Sequence, residues 1–152
     1  MDINKFNIKW MEHALNLAEK AALEDEVPVG AVIIQNEKII GQGYNQREKS
    51  HNAIAHAEII AIQKASHFLK NWRLIDCLLV VTLEPCLMCL AAIQQARMSG
   101  IVYGSLDPKG GAISLGYSIH EDKRTNHRFP AYFTETPRCS QILKEFFAKK
   151  RS

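Results

Sequence analysis

The sequence predicts an α/β fold in which a mixed sheet of five strands lies between layers of helices. Three observations carry this. Apolar residues recur at helical spacing over residues 5–24. The run from Cys77 to Thr82 is nearly all apolar, as in a strand covered on both faces. Strand-like and helix-like segments alternate along most of the chain, and helices must then pack on the faces of a sheet.

Each element has its own signal. In the first helix Met11, Ala14, Leu15, Ala18, Ala21 and Ala22 form one stripe that reads as core. Residues 28–35 are apolar and rich in Val and Ile, Asn36-Glu37 makes a turn, and 38–44 is the hairpin partner. A second helix over 57–69 has Ile59, Ile60, Ile62 and Phe68 as apolar anchors. Strand 77–82 follows, then a helix from the cysteine pair to about Arg97. Residues 101–103 and 131–133 are short strands, and 137–150 a last helix. The connection 104–130 holds glycines and many polar groups; one so long is more often functional than idle.

Composition bounds the function classes. The 152 residues suit a single domain, 1–152, with no repeat and no internal boundary. Hydrophobic content of 47% and charged content of 23% are ordinary for a soluble protein. No apolar run approaches the roughly 20 residues of a membrane span. The start, Met1 to Lys5, has no secretory pattern. Four cysteines, two of them in a candidate metal set, point to a reducing compartment, the cytoplasm. A net charge of +3 permits a nucleic-acid partner without requiring one.

The chemistry concentrates in His56-Ala57-Glu58 and Pro85-Cys86-Leu87-Met88-Cys89. Together they offer one imidazole, two thiols and one spare carboxylate. Structural zinc sites close with four protein ligands, whereas catalytic ones keep three and leave a place for water. Cys86 and Cys89 are three apart, so on a helix both sulfurs share a face. Pro85 suits the first helical position, which sets both cysteines in a first turn, where the dipole favours thiolate. Zinc lowers the pKa of bound water from about 15.7 towards about 7, and Glu58 stands near enough to move its proton. Read alone, C-x-x-C also fits a redox pair or half of a four-ligand site. A redox pair brings no His-x-Glu upstream, and Cys77 and Cys139 lack the spacing for the second half. Cys77 reads as a small buried hydrophobe, and Cys139 has no assigned role.

The pattern H-x-E…P-C-x-x-C is the signature of zinc nucleobase deaminases. Over roughly residues 8–151 the chain resembles the bacterial tRNA-specific adenosine deaminases of the cytidine-deaminase-like superfamily. The likeness is densest at 26–32, 55–59, 71–76, 81–89, 107–112, 126–128 and 145–147. The run Arg73-Leu74-Ile75-Asp76, the loop at Asp107, Asn126-His127-Arg128 and the terminal Phe146-Phe147 are its more specific parts. The resemblance implies a sheet in the order 2-1-3-4-5, with strands four and five parallel, and a homodimer. It implies hydrolysis of adenosine to inosine, with loss of ammonia, at the wobble position of a tRNA anticodon stem-loop. One zinc per subunit would be held by His56, Cys86 and Cys89, with Glu58 as proton shuttle.

Substrate contacts follow from the same resemblance. Asn45 falls where the family contacts the base; by itself it reads as a turn residue after strand two. Asp107 falls where the family contacts a neighbouring ribose, and a 2′-OH is what an acidic residue would read on RNA; by itself it reads as an Asp-Pro turn. Phe146, Phe147, Lys149, Lys150 and Arg151 pair aromatics with cations, as suits an unstacked anticodon loop. Alone, the phenylalanines read as core and the lysines as a solvated face. Lys109, Arg124, His127 and Arg128 are further candidates for phosphate or base contact. Two departures stand out. Asn52-Ala53-Ile54 replaces the usual Asp-Pro-Thr before His56, and Ala148 replaces a frequent basic residue. The rival readings are a small-molecule deaminase acting on guanine, cytosine or a nucleotide, and a non-catalytic RNA-binding module.

Overall fold

β1 (Gly30–Gln35) is buried along nearly its whole length, and this central apolar strand organises the molecule. The computed structural model describes residues 3–151, so Met1, Asp2 and Ser152 of the expected domain lie outside it. β1 forms an antiparallel hairpin with β2 (Lys38–Tyr44) through Asn36 and Glu37, both in the left-handed region at φ 50° and 64°. On its other side β1 pairs antiparallel with β3 (Leu78–Val81). β3 pairs parallel with β4 (Gly100–Tyr103), and β4 parallel with β5 (Ala131–Phe133). The order β2-β1-β3-β4-β5 is the expected one.

Side chains of successive strand residues point to opposite faces, so each central strand feeds two cores. Ala31, Ile33, Leu79, Val81 and Ile101 pack with Ala57, Ala61, Leu90 and Ile93 from α2 (Ala57–Leu69) and α3 (Leu87–Gln95). Val32, Ile34, Val80 and Val102 pack with Met11, Ala14 and Leu15 of α1 (Ile8–Leu23) and Cys139 of α4 (Pro137–Arg151). The sheet thus lies between two helical layers. No helix among the described residues is long and apolar enough to cross a membrane.

Three local expectations are corrected. α1 begins at Ile8 rather than residue 5, because the Asn7 side chain accepts a hydrogen bond from the Lys9 amide and caps the helix there; Ile3–Lys5 forms a separate 3-10 turn. α3 begins at Leu87, with Cys86 as an extended N-cap residue rather than inside the first turn. α2 anchors through its isoleucines only in part: Ile62 packs against the core, while Ile59 and Ile60 are half-buried. Ala57, Ala61 and Ala65 are its fully buried apolar residues, while Phe68 is 65% exposed. The cause lies in β2. A Cβ on Gly41 would stand 2.6 Å from the Ala61 carbonyl oxygen, and one on Gly43 2.6 Å from that of Ala57. The helix comes so close that the two strand positions opposite Ala57, Ile60, Ala61 and Ala65 have no room for a side chain.

That close approach sets where the first residues of α2 stand. Gly43→Ala should lower stability by about 1–3 kcal/mol through overpacking, read as a lower Tm. An unchanged Tm would mean that α2 can withdraw without cost.

Candidate active site

Two helices start at the same place. His56 is the N-cap of α2 and Cys86 the N-cap of α3; Cys89 lies in the first turn of α3. The His56 Nδ1 atom is 3.6 Å from Cys86 Sγ and 3.5 Å from Cys89 Sγ. The three donor atoms all lie within 4.8 Å of one another and can hold a metal ion. The N-terminal ends of both helices favour negative charge here. The Cys89 thiol, then His56, hold the Cys86 thiol down at about 4 by hydrogen bonding. Its partner shifts the other way: the Cys86 sulfur and burial push the Cys89 thiol up. The bond to Cys86 raises the His56 imidazole. One thiolate is therefore present before any ion arrives.

Glu58 completes the pocket from the first turn of α2. It is 4% exposed, and burial pushes its carboxyl up to about 7. A carboxyl poised there can both take and give a proton near neutrality. Glu58, His56 and Cys86 line a cavity of about 120 Å³ with Val29, Asn45 and Asp107. Asn45 is buried, and its Oδ1 atom has no hydrogen-bond partner among the described residues. An unpaired buried acceptor costs about 1–3 kcal/mol, which suits an atom kept for a ligand's amine or hydroxyl.

Two buried carboxylates hold the walls. Glu26, 1% exposed, accepts from the amides of Glu48 at 3.0 Å and Lys49 at 2.7 Å, fixing the loop after β2. Glu84, 2% exposed, accepts from the Asp107 amide at 3.1 Å, the Ser114 amide at 2.7 Å and the Ser114 hydroxyl at 2.5 Å. It fixes the long loop after β4. A Cβ on Gly111 would fall 2.2 Å from the Glu84 carboxyl carbon, so glycine is required at that contact. Asp107 does form the turn read from its own sequence, accepting from the Gly110 amide at 3.0 Å, while it also lines the cavity.

A larger groove adjoins the cavity and shares Val27, Asn45 and Arg47 with it. Phe146, Phe147 and Lys150 line this groove. The two rings meet edge to face at 5.4 Å, and the Lys150 ammonium lies 5.6 Å from the Phe146 ring centre. Neither phenylalanine belongs to the core: Phe146 is half-buried and Phe147 42% exposed. Lys109 is exposed on the Asp107 turn. His127 stands apart, in a separate cleft with Gln94, Arg97 and Arg124, its Nε2 atom 2.6 Å from the Met98 carbonyl oxygen. Arg124 pairs with Asp122 at 2.8 Å, and Arg128 donates to the carbonyls of Lys123 and Thr125. Sequence reasoning missed Glu26, Glu84 and Arg47. A carboxylate directly before Pro85, or among the apolar residues before β1, was the available hint for the first two.

The model of the MafB19-like deaminase family matches residues 4–151. A tRNA-specific adenosine deaminase of Streptococcus pyogenes serotype M1 is 42% identical over 143 residues, covering 93% of this chain and 84% of that protein. One from Haemophilus influenzae is 40% identical over 150 residues, covering 97% and 87%. A structure solved in studies of A-to-I editing by tRNA:A34 deaminases superposes with a TM-score of 0.85 at 38% identity, covering 90% of this chain and all of that one.

The thiols provide a test of the site's electrostatics. Burial holds Cys77 and Cys139 each up at about 11, against about 4 for Cys86. Thiolate is the reactive form. In metal-free protein at pH 7, an alkylating reagent should label Cys86 first, at a rate nearly flat between pH 6 and 9. Cys77 and Cys139 should react only on unfolding. Peptide mass mapping reads this out, and early labelling of Cys77 would contradict it.

Proposed function

The chain belongs to the tRNA-specific adenosine deaminases and to the MafB19-like deaminases, and we propose that it converts adenosine to inosine at the wobble position of a tRNA anticodon, with one zinc ion per subunit. One observation carries this reading. The pocket lined by Glu58 and by His56 and Cys86 of the donor set adjoins a groove lined by paired aromatics and a cation. A small-molecule deaminase needs the pocket and has no use for the groove.

The donor set fits zinc. Tetrahedral bonds of about 2.3 Å to sulfur and 2.0–2.1 Å to nitrogen need sulfur–nitrogen edges of about 3.6 Å. The edges here are 3.6 Å and 3.5 Å. Two sulfurs and an imidazole suit a soft-to-borderline ion. When bound, zinc supplies an activated water with one coordination place free of protein.

The chain's own residues do the rest. Glu58 Oε takes a proton from the attacking water and gives it to N1 of adenine, then carries the remaining hydroxyl proton to the departing nitrogen. Oxygen adds at C6 of adenine, the C6–N bond breaks, and ammonia leaves. Asn45 Oδ1 accepts from the bound nucleoside and orients its ring. Asp107 accepts from a 2′-OH at the rim, and Lys109 stands beside it for phosphate. Phe146 and Phe147 stack bases next to the target, and Lys150 exchanges its exposed pairing with Asp25 for their backbone. His127 serves in this reading by holding the long loop to Met98. The enzyme acts in the cytoplasm as a homodimer. The apolar side chains of Phe68 and Trp72, 65% and 53% exposed, are surface available to a second copy.

The test is inosine formation in an anticodon stem-loop bearing adenosine at the wobble position, with free adenosine, cytidine and guanine run in parallel. Conversion of the stem-loop alone is expected; turnover of a free base or nucleoside alone would contradict the reading. Glu58→Ala should keep its zinc and lose at least about 10²–10⁴ in kcat. A near-normal rate would remove Glu58 from the proton path. Lys149, Lys150 and Arg151 replaced together by Ala should weaken RNA binding and flatten its salt dependence. An unchanged slope would put the RNA backbone elsewhere.

A further inference from the structure

We propose that Arg47 is a positioning residue that grips a backbone phosphate flanking the adenosine under attack. This rests on the proposed activity on RNA and adds a residue that neither the motifs nor the resemblance assigned. Arg47 stands at the threshold, lining both the cavity that holds Glu58 and the groove that holds Phe146 and Phe147. A nucleotide whose base enters the first while its neighbour lies in the second must pass a phosphate across that threshold.

The charges around Arg47 single it out. The groove is lined by Glu24, Asp25, Glu26 and Glu48, and by the cations Arg47, Lys49 and Lys150. Glu24 is paired with Lys49 at 2.5 Å, and Asp25 with Lys150 at 2.7 Å. Glu26 is occupied by the backbone amides of Glu48 and Lys49. Among the described residues the Arg47 side chain makes no hydrogen bond or ion pair, although acids line the same groove. Its backbone, by contrast, is held. The Arg47 carbonyl accepts from the Asn52 amide at 3.0 Å, and the Gln46 amide donates to Ala55 at 3.0 Å. These bonds tie the Arg47 turn to the residues leading into His56. A guanidinium on a fixed stem, uncommitted inside the protein, matches the two-pronged geometry of a phosphate better than any other part of a nucleotide.

The experiment uses zinc-loaded protein and a stem-loop with adenosine at the wobble position, in which single phosphates around the target are replaced by neutral methylphosphonates. Arg47→Ala should keep its zinc content and Tm and lose about ten- to hundredfold in kcat/KM. Arg47→Lys, a point charge without the fork, should fall between. In the wild type, one methylphosphonate beside the target should cost a similar factor. In Arg47→Ala that same replacement should cost nothing more, because the partner is already gone. Equal activity in Arg47→Ala, or a cost that simply adds at every phosphate, would overturn the role of Arg47 while leaving the deaminase reading intact. A wild type that leaves the unmodified stem-loop unchanged would overturn both.

Discussion

Everything at this site depends on two helices beginning at one point. His56 and Cys86 are each the residue before the first helical turn, one on α2 and one on α3, and Cys89 lies within the first turn of α3. The orphan amides at both helix starts aim partial positive charge at the same small volume. That volume receives a thiolate, a second sulfur and a carboxylate, all of which would be costly to bury alone. The convergence requires α2 to lie almost on β2. Gly41 and Gly43 remove the side chains that would prevent it, and the small stripe of Ala57, Ala61 and Ala65 fills what space remains. A methyl group in that interface would push on the helix that begins at His56.

The second constraint is the pair of buried carboxylates behind the pocket walls. A buried ionised group costs several kcal/mol unless its oxygens find donors. Glu26 and Glu84 find them in the backbone amides of the two loops that frame the cavity. The polar cost of burial is thus turned into loop position. Asn45 and Asp107 are held on fixed backbone and line the cavity, Asn45 with an unpartnered Oδ1 among the described residues. The same economy governs the groove, where Glu24 and Asp25 quiet Lys49 and Lys150 and leave Arg47 uncommitted.

Much of this was legible in the sequence. The layered mixed sheet followed from period and order, since an all-apolar Leu78–Val81 has no place except between two covering layers, while the strand order followed from the family resemblance. The metal donors and Glu58 were legible because their chemistry needs those residue types at that spacing. The elements that resisted reading are those decided by contact at long range. Ile59 and Ile60 are larger and more apolar than Ala57, Ala61 and Ala65, and sequence gives no sign that two distant glycines bring the alanines to the deepest contact. The start of α3 moved from Pro85 to Leu87 because Cys86 takes an extended conformation at the cap. His127 lies in a motif that reads as substrate contact, yet it stands in a different cleft; local pattern does not say which way a long loop folds. Glu26, Glu84 and Arg47 carry no motif, and their roles appear only when loops distant in sequence are brought to one wall.

The central claim is that His56, Cys86 and Cys89 form a three-ligand zinc site with one place left open beside Glu58. Zinc-edge X-ray absorption on the zinc-loaded protein, with metal content measured on the same sample, tests it most directly. The account predicts one zinc per chain, two sulfurs at about 2.3 Å and two nitrogen or oxygen neighbours at about 2.0–2.1 Å, one of the latter exchangeable by an added anion. A shell of three or four sulfurs, or one closed to exchange, would mean a structural staple and contradict it.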